Sequence, residues 1–300
     1  MPPHPFTAGP LFSLTGQVAL VTGGGTGIGY MIARALASNG CKTYITGRRF
    51  EKLQEAVESA KQEGELEAEI IPLKMDVTDK QSIKVAVEHV QSKEKYLSMS
   101  VILPSLFIWV ALVNNAGIAK GTNGTLSRKK SNIQEYADTM FNYDPEVWAQ
   151  VMRTNVYSPW FVTAGFLPLL VKAREHKLPE ASVINVTSIS GLTRTSQNGQ
   201  HIYNSSKAAL ISLTNMQASE LHEVGVRVNS LAPGLFMSEM TSGGRFPDPD
   251  DRQAYLERGI PAGRPGLERE MAQSVLALAA NHFVYGQHFS MDGGQLLTMR

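Results

Sequence analysis

Thr22-Gly23-Gly24-Gly25-Thr26-Gly27-Ile28-Gly29 lies between the apolar run Val18–Val21 and the helix-like run Tyr30–Ser38. Glycine lets a backbone approach a pyrophosphate closely, and the start of a helix offers that group unpaired N–H groups and a positive dipole. A glycine-rich turn alone is a weak signal, because ordinary tight turns use the same residues. Here the strand before it and the helix after it favour a dinucleotide-binding turn of the pattern GxxxGxG, at Gly23, Gly27 and Gly29.

Short apolar runs alternate with helix-like segments along nearly the whole chain. The predicted strands are Val18–Val21, Thr43–Thr46, Ile70–Met75, Ala111–Val113, Ser182–Val186, Val226–Leu231 and His288–Met291. Short strands that alternate with helices predict right-handed crossovers and a parallel sheet covered on both faces. No Pro/Gly-rich linker or repeat divides the pattern, so we expect a single α/β domain over 11–300, after a loose leader over 1–10. Its core would be a doubly wound, Rossmann-type sheet of seven parallel strands.

Charge and composition exclude several classes of partner. Lys plus Arg number 28 and Asp plus Glu 27, so a net charge of +1 gives no reason to expect nucleic acid or stable membrane association. Cys41 is the single cysteine, and the seven histidines show no ligand spacing, so we expect no disulfide and no metal. Residues 1–10 carry no Lys, Arg or apolar core, unlike a signal peptide. We therefore expect a cytoplasmic protein.

The end of the second predicted strand indicates which dinucleotide is bound. NAD-binding folds place an acid there to hold the ribose 2′-hydroxyl, but this sequence has Gly47-Arg48-Arg49. The guanidinium of Arg48 suits a 2′-phosphate through its charge and fork geometry, so we expect NADP. The alternative is that both arginines are solvated residues at the start of a helix. At the end of the third strand, Asp76 is placed to meet the adenine edge; the alternative is that it is a turn residue before Thr78.

Tyr203 and Lys207 are four residues apart in a helix-like stretch, so their side chains share one face. A phenol ionises near pH 10, and work as an acid or base near neutrality needs a pKa lower by roughly two to three units. A neighbouring ammonium and an oxidised nicotinamide both favour the phenolate, which makes the pair chemically sensible. The spacing alone is common on helix surfaces, so other motifs must support it.

Further motifs occur in the order found in one enzyme family. They are Thr22–Gly29, Asn114-Asn115-Ala116-Gly117, Asn155, Ser188, Tyr203 with Lys207, and Pro233-Gly234. Together they make the chain, from about Phe12 to Gly294, similar to the classical short-chain dehydrogenases/reductases, and their joint occurrence is highly specific. Within that family the chain resembles 3-oxoacyl-[acyl-carrier-protein] reductases and the ketoreductases of secondary-metabolite pathways.

The resemblance implies roles for four catalytic residues. Ser188 would hydrogen-bond the substrate carbonyl, Tyr203 would give or take the hydroxyl proton, and Lys207 would hold the ribose and lower the pKa of Tyr203. Asn155 is the fourth, and Asn114 would brace the fourth strand beside the cofactor. The residues expected to contact NADP are Gly23, Thr26, Gly27, Ile28, Gly29, Arg48, Asp76, Val77, Asn114, Ala116, Gly117, Tyr203, Lys207, Pro233, Gly234, Phe236 and Ser238.

Asn155 lies in a long helical pattern from Pro145 to about Val171, and Pro159 follows it by four positions. Proline has no N–H to bond the carbonyl of the residue four before it, so the Asn155 carbonyl is left free. In the family that the chain resembles, the matching carbonyl binds a water that relays protons to the lysine. The sequence therefore predicts that this carbonyl is available for such a relay.

The position of the active serine departs from the family pattern. About thirteen residues usually separate the serine from the tyrosine, and that count reaches Ser190. We prefer Ser188, fifteen residues before Tyr203, because it keeps the Ser-x-x-Gly context with Gly191. The loop Leu192–Gln200 would then hold a two-residue insertion.

These features predict an NADPH-dependent reductase that transfers hydride to a ketone, either a 3-oxoacyl or a bulky secondary-metabolite-like substrate. An NAD(P)-dependent alcohol or polyol dehydrogenase is the second hypothesis, and a cofactor-binding scaffold with little catalysis is the third. A candidate substrate lid covers 238–263. An apolar pocket for a small-molecule carbonyl or alcohol substrate is suggested by Trp160, Phe236, Met237 and Met240. The family habit implies a homotetramer or homodimer.

The apolar stretch Ser98–Val110 is atypical for the family. Members pass almost directly from a helix end like Glu94–Leu97 to a strand like Ala111–Asn114, and removing these thirteen residues restores that join. A bilayer crossing takes about twenty apolar residues, so the stretch is too short to span a membrane. We hypothesise that the insertion does not belong to the functional enzyme and stems from a translated intron or a gene-model error. The alternatives are that the stretch is a docking patch for a partner or a membrane surface, or that it extends the subunit interface.

Overall fold

A computed structural model describes residues 4–94, 108–121, 132–172, 180–197, 199–239 and 247–299 of the chain. Within these ranges a β-sheet is covered by helices on both faces. No helix in the described ranges is both long and apolar enough to cross a membrane. The same ranges hold no group of three or more His, Cys, Asp and Glu residues suited to a metal ion.

The sheet has seven strands in the described part of the chain, and all neighbours run parallel. They are β1 (Gln17–Thr22), β2 (Cys41–Gly47), β3 (Ile70–Lys74), β4 (Ile108–Asn114), β5 (Ala181–Val186), β6 (Val226–Pro233) and β7 (His288–Met291). Their spatial order is β3-β2-β1-β4-β5-β6-β7, so the order reverses beside β1. The carboxyl ends of strands open a crevice at such a switch point. The predicted doubly wound fold is confirmed.

Helices connect the strands, and those that bury residues cover both faces of the sheet. The helices are α1 (Ala8–Phe12), α2 (Gly27–Ser38), α3 (Phe50–Gln62), α4 (Lys80–Lys93), α5 (Ile133–Phe141), α6 (Pro145–Met152), α7 (Ser158–Leu170), α8 (His201–Leu221), α9 (Arg252–Glu257), α10 (Glu268–Ala280) and α11 (Gln295–Thr298). A π-turn, Arg153–Tyr157, joins α6 to α7, and short 3₁₀ turns cover Ile189–Gly191 and His222–Val224.

Side chains along each strand alternate between the two faces. In β1, Ala19 and Val21 pack with α2, α3 and α10, whereas Val18 and Leu20 pack with α4 and α7. All four side chains are fully buried. Because helices cover both faces of a parallel sheet, its strands need apolar residues at nearly every position. This requirement explains the continuous apolar runs from which the strands are predicted.

β6 carries a buried arginine that ties the strand to α10. Arg227 is 0% exposed, and its guanidinium donates hydrogen bonds of 3.1–3.3 Å to the carbonyl oxygens of Leu278, Ala279, Asn281 and Val284. These carbonyls lie at and just beyond the carboxyl end of the helix, where acceptors are left unpaired and carry partial negative charge. The end of the helix therefore offsets the burial of the positive charge.

The observed strands differ from the predicted ones by at most two residues at each end, except in β4. This strand begins three residues before the predicted Ala111, so the last three residues of the insertion, Ile108, Trp109 and Val110, belong to the strand. The rest of the insertion, 98–107, lies outside the described residues. The leader also differs from prediction at its end, where α1 begins at Ala8, although this helix buries no residue.

The start of β4 is irregular. Gln17 and Val18 of β1 pair with Ile108 and Trp109, but Ala19 pairs with Ala111. Val110 is therefore skipped by the pairing, as in a β-bulge, which inserts one extra residue on one strand. The bulge falls at the boundary where the sequence pattern places the end of the insertion. A segment added before Ala111 would produce such a slip in register.

We predict that deleting Ser98–Val110 leaves a protein at least as soluble and as active as the full chain. Among the described residues of this stretch, Ile108 and Trp109 pair with β1, and the deletion would place Tyr96 and Leu97 directly before Ala111 in the chain. Soluble yield, turnover and molecular mass by light scattering are the measurements. Loss of folding or a changed subunit number would mean that the segment is structural. Sequencing the mature transcript is an independent check, and a transcript encoding all thirteen residues would refute the intron hypothesis.

Candidate active site

The carboxyl ends of β1, β4, β5 and β6 carry most of the motif residues. Thr22 ends β1, Asn114 ends β4, Ser188 follows β5 and Pro233 ends β6. Tyr203 and Lys207 lie near the start of α8, and Asn155 lies in the π-turn. The strand order places these elements around the crevice beside β1, so residues far apart in sequence meet there.

The glycine-rich turn is shaped for close approach of a ligand. Gly23 and Gly27 have φ angles of 65° and 53°, which residues with a side chain rarely adopt. A Cβ at Gly29 would lie 2.2 Å from the carbonyl oxygen of Gly23, so only glycine lets the turn close. Thr26, at the N-cap of α2, makes no side-chain bond to the helix. The first N–H groups of α2 are thus available to an anion, and this cradle fits the pyrophosphate of a dinucleotide.

Two residues that the sequence analysis left out of the site hold this turn against β4. Thr22 Oγ1 accepts hydrogen bonds from the backbone N–H groups of Asn115 and Ala116, both at 3.0 Å. Asn115 Nδ2 donates to the carbonyl oxygens of Thr22 at 2.9 Å and Gly23 at 3.2 Å. The two turns are therefore fixed to each other across the crevice. The signal was present, because Thr22 and Asn115 lie inside the quoted motifs.

Asn114 belongs to a buried network behind the crevice. Its Nδ2 donates to Thr163 Oγ1 at 3.0 Å and to Asn185 Oδ1 at 2.9 Å. Asn185 Nδ2 donates in turn to Thr214 Oγ1 at 2.9 Å and Gln217 Oε1 at 3.1 Å. The network joins β4 and β5 to α7 and α8, which fits the expected bracing role. Asn114 itself is buried.

The outer end of the crevice carries two arginines in different situations. Arg48 follows β2, is exposed and forms no ion pair with another described residue. Arg49 is the N-cap of α3, and its Nη2 lies 2.9 Å from Glu239 Oε2. After β3, Asp76 Oδ1 accepts from the N–H and the hydroxyl of Thr78, at 2.9 and 2.7 Å. This contact agrees with the alternative prediction for Asp76, namely that it is a turn residue before Thr78.

Ser188 is the serine that reaches the tyrosine. Its side chain is placed to stabilise the Tyr203 phenolate by hydrogen bonding, which lowers the pKa of the phenol, and its Oγ accepts from the Ser190 N–H at 3.1 Å. Ser190 instead donates its hydroxyl to Gln197 Oε1 at 2.8 Å. The geometry therefore favours Ser188 over the serine that the thirteen-residue count reaches. Gln197 lies in the longer loop and has a positive φ of 47°, a strained conformation for a residue with a side chain.

Lys207 brings a buried ammonium to the site. Its Nζ donates to the Val186 carbonyl oxygen at 2.8 Å and lies 5.8 Å from the centre of the Tyr203 ring. Burial lowers the pKa of Lys207 to about 8, because the ammonium loses its hydration. Burial also raises the pKa of Tyr203, and the hydrogen bond with Ser188 opposes that rise.

Asn155 is fully enclosed by its neighbours. Its Nδ2 donates to the Ile118 carbonyl and to Ser206 Oγ, both at 3.0 Å, and its Oδ1 accepts from the Ile118 N–H at 2.9 Å. These bonds join the π-turn, the loop after β4 and α8. Pro159 lacks the N–H that an α-helix would direct at the Asn155 carbonyl, and the chain leaves the α-helical path at this place. The irregular turn coincides with the residue that the sequence singled out.

Gly117 lies against both the asparagine and the lysine. A Cβ added there would stand 3.3 Å from Asn155 Oδ1 and 3.6 Å from Lys207 Nζ. The adjacent Ala116 is bonded to Thr22 through its N–H. The ammonium therefore lies close to the turn after β4, beside the glycine-rich turn.

The apolar residues expected at the site turn mostly into the core. The ring of Phe236 is 3% exposed and packs against Gly266. In this structure Phe236 therefore contributes to the core, and not to an open pocket as expected. Ile28 and Val77 are also partly packed against the core. Ser238, by contrast, touches the turn, since a Cβ on Gly27 would lie 2.8 Å from the Ser238 Cβ.

The end of β6 and the predicted lid are tied to the carboxyl-terminal residues. Gly234 N–H donates to the Met291 carbonyl at 2.9 Å, and Pro233 O accepts a long bond of 3.5 Å from Ser188 Oγ. Within the lid, Gly259 O accepts from Thr298 Oγ1 at 2.6 Å. The lid contains α9, the short helix expected there. Of the other expected pocket residues, Trp160 is 41% exposed on α7, and Met240 lies outside the described residues.

This combination of turns and side chains matches a known family. The family described as short chain dehydrogenase matches residues 17–245. The chain belongs to the short-chain dehydrogenase/reductase family. The match includes the glycine-rich turn and the Tyr203/Lys207 pair, and the predicted resemblance is confirmed. As a member, this short-chain dehydrogenase/reductase is an oxidoreductase acting on CH–OH or C=O groups.

Relatives of this short-chain dehydrogenase/reductase are similar along nearly their whole length. The short-chain dehydrogenase/reductase PhomF of Diaporthe leptostromiformis is 36% identical over 297 residues, 96% of this chain and 94% of that protein. The 3-oxoacyl-[acyl-carrier-protein] reductase FabG of Thermotoga maritima is 33% identical over 286 residues, 95% and 99% of the two chains. The solved complex of Pseudomonas aeruginosa RhlG with NADP has a TM-score of 0.78 and 30% identity, covering 95% and 98%.

Substitution of the two hydroxyl groups should separate catalysis from binding. We predict that Tyr203→Phe and Ser188→Ala each lower kcat by roughly 100-fold or more, because a positioned acid or donor is lost. Cofactor affinity, measured by fluorescence titration, should stay nearly unchanged. Ser190→Ala is the matched control and should be mild, since its hydroxyl bonds Gln197. A comparably large loss of kcat in Ser190→Ala would show that Ser190, which the thirteen-residue count reaches, is the active serine.

Proposed function

We propose that this chain is an NADPH-dependent reductase that transfers hydride to a ketone, with a 3-oxoacyl or bulky secondary-metabolite-like substrate. The observation that carries the proposal is the meeting of Ser188, Tyr203 and the buried Lys207 at the crevice, next to the glycine-rich turn. Bound NADPH would supply the hydride. The residues of the chain would supply the polarising groups and the proton.

Ser188 and Tyr203 are suited to activate a carbonyl. Each carries an O–H that would donate to the same carbonyl oxygen and draw electrons from the carbon. When the carbon accepts hydride, negative charge develops on the oxygen, and Tyr203 gives it a proton. The raised pKa of Tyr203 keeps the phenol protonated near neutral pH, the form that reduction requires.

Lys207 and Asn155 are suited to return the proton to Tyr203. A pKa of about 8 leaves Lys207 mostly charged near pH 7 but ready to release a proton at low cost. Pro159 deprives the Asn155 carbonyl of its usual helical partner, so that oxygen would accept a water leading to the lysine. The same groups would run in reverse for alcohol oxidation.

Arg48 supports NADP as the cofactor. In dinucleotide folds the end of the second strand faces the ribose 2′ position. Arg48 offers an exposed guanidinium there and forms no ion pair with another described residue, so its fork geometry is available to a phosphate. The similar RhlG structure was solved with NADP. Glu51, the first acid after β2, already lies within α3.

The name of one relative supports the substrate class, since FabG of T. maritima is a 3-oxoacyl-[acyl-carrier-protein] reductase. An alcohol or polyol dehydrogenase is the second candidate, because the same hydroxyl pair and lysine would serve oxidation equally well. A scaffold with little catalysis is disfavoured by the complete set of catalytic side chains.

We also propose a cytoplasmic homodimer or homotetramer. Trp148, Tyr157 and Trp160 lie along α6, the π-turn and α7, with exposures of 37%, 51% and 41%. Large aromatic side chains exposed on consecutive elements are suited to contact another subunit. Light scattering of the purified protein would count the subunits, and cell fractionation would test the location.

Turnover of the purified protein with a substrate panel tests the function. NADPH or NADH is offered with 3-oxoacyl thioesters and bulky ketones, and NADP⁺ or NAD⁺ with secondary alcohols and polyols. We expect ketone-dependent consumption of NADPH to be the fastest reaction near neutral pH. Faster polyol oxidation would favour the second candidate. Cofactor binding without turnover of any substrate would favour the scaffold.

Arg48→Asp should weaken NADPH binding far more than NADH binding. The change removes one charge-assisted contact and adds a repulsion with the 2′-phosphate, for a loss of roughly 10- to 100-fold. Titration of both cofactors by fluorescence is the measurement. Lys52→Asp, which changes an exposed charge on α3, is the control and should affect neither cofactor strongly. Equal losses for the two cofactors would rule out the assignment of Arg48.

A further inference from the structure

The segment 234–239 runs from β6 across the carboxyl edge of the sheet. In the strand order β6 lies three places from β1 and four from β2, or about 14 and 19 Å at ~4.8 Å per strand. Ser238 nevertheless touches Gly27 in the turn after β1, and Glu239 pairs with Arg49 just after β2. This segment, here called the strap, therefore passes over the crevice that holds the dinucleotide cradle.

The far end of the strap is held by one ion pair. Arg49 Nη2 and Glu239 Oε2 are 2.9 Å apart, and their side chains are 63% and 54% exposed. Arg49 is fixed at the N-cap of α3, whereas Glu239 is the last residue described before the gap at 240–246. The pair lies next to Arg48 in the chain, at the end of the crevice where the adenosine ribose of a dinucleotide belongs.

On the basis of the cofactor site proposed above, we propose that the ion pair between Arg49 and Glu239 acts as a latch, which holds the strap closed and so retains the bound dinucleotide. With its pyrophosphate at the glycine-rich turn and its ribose near Arg48, a dinucleotide lies between the sheet edge and the strap. It must displace the strap in order to leave. Arg48 and Arg49, adjacent in sequence, then have separate tasks: Arg48 selects the cofactor, and Arg49 holds it without distinguishing NADPH from NADH.

The competing assignment gives Arg49 to the 2′-phosphate as well. Glu239 would then be a rival for the same guanidinium and a negative charge near the phosphate. Removal of the Glu239 carboxylate would tighten NADPH binding and leave NADH unchanged. The latch requires the opposite result, since loss of the carboxylate frees the strap and releases both cofactors faster.

Stopped-flow fluorescence gives the dissociation rates of NADPH and NADH from the full chain and its variants. We expect Arg49→Gln and Glu239→Gln each to speed release of both cofactors by roughly 1.5- to 5-fold at low salt, the range for an exposed ion pair. The effect should fade as salt screens the charges. Glu55→Gln is the matched control, because Lys52 and Glu55 form a comparably exposed pair on α3. It should leave both rates unchanged.

Charge exchange provides a rescue that a merely structural role would not show. The double variant Arg49→Glu with Glu239→Arg rebuilds the pair in reverse and should restore the NADH rate toward that of the unmodified protein. NADH is the probe here, because a glutamate next to Arg48 would repel a 2′-phosphate.

Slower release of NADPH from Glu239→Gln would overturn the latch in favour of the rival assignment. Unchanged rates in both single variants, or failure of the exchanged pair to restore the NADH rate, would also overturn it. If the unmodified chain bound neither cofactor, the proposed function would fail first, and the latch with it. The latch is tested by the dissociation rates of both cofactors, whereas the preference for NADPH is tested by the titrations of Arg48→Asp. The two proposals can therefore fail independently.

Discussion

The crevice beside β1 is the feature on which the rest of the site depends. β2 and β4 flank β1 on opposite sides, so the segments that leave β1 and β4 diverge to opposite faces and open a gap at the carboxyl edge. The bonds between Thr22 and Asn115 hold this gap at a fixed width. A side chain at position 29 would force the glycine-rich turn apart. The catalytic residues are useful only because this gap receives them.

The chemistry also depends on burying groups that prefer water. Lys207 and the phenol of Tyr203 are moved away from their ordinary pKa values chiefly by loss of hydration. The lysine carries a cost for folding: between pH values of about 8 and 10.5 the unfolded chain holds the proton that the folded chain releases. The contribution of Lys207 to stability therefore rises with pH in that window and is unfavourable below it. The same burial lets Lys207 release its proton more easily than an exposed lysine would.

Much of the fold and part of the site could be predicted because their signals are local. A parallel strand buried on both faces needs a continuous apolar run, and a Tyr and a Lys four positions apart must share a helix face. Where the apolar run continues into a neighbouring segment, as before Ala111, the pattern cannot mark the boundary, and the predicted start of β4 lies three residues too late.

Other features depend on contacts that no local pattern contains. Phe236 is apolar either in a pocket or in the core, and only the close approach of Gly266 decides between them. The ion pair of Arg49 with Glu239 joins residues on opposite sides of the crevice, and the sequence around either residue does not indicate it. The direction of the Tyr203 pKa shift depends on how deeply the phenol is enclosed, which spacing from Lys207 does not reveal. The choice of Ser188 over Ser190 was possible only because Gly191 supplied a motif context.

Arg227 has a consequence for how the chain folds. A guanidinium keeps its charge at any physiological pH, and its acceptors here are carbonyl groups of residues 278–284, some fifty positions further along the chain. An intermediate in which β6 had joined the sheet before α10 was in place would enclose a bare charge without those acceptors. We therefore expect β6 and α10 to fold in the same step. The carboxyl-terminal third of the domain should acquire its order in one cooperative step, not strand by strand.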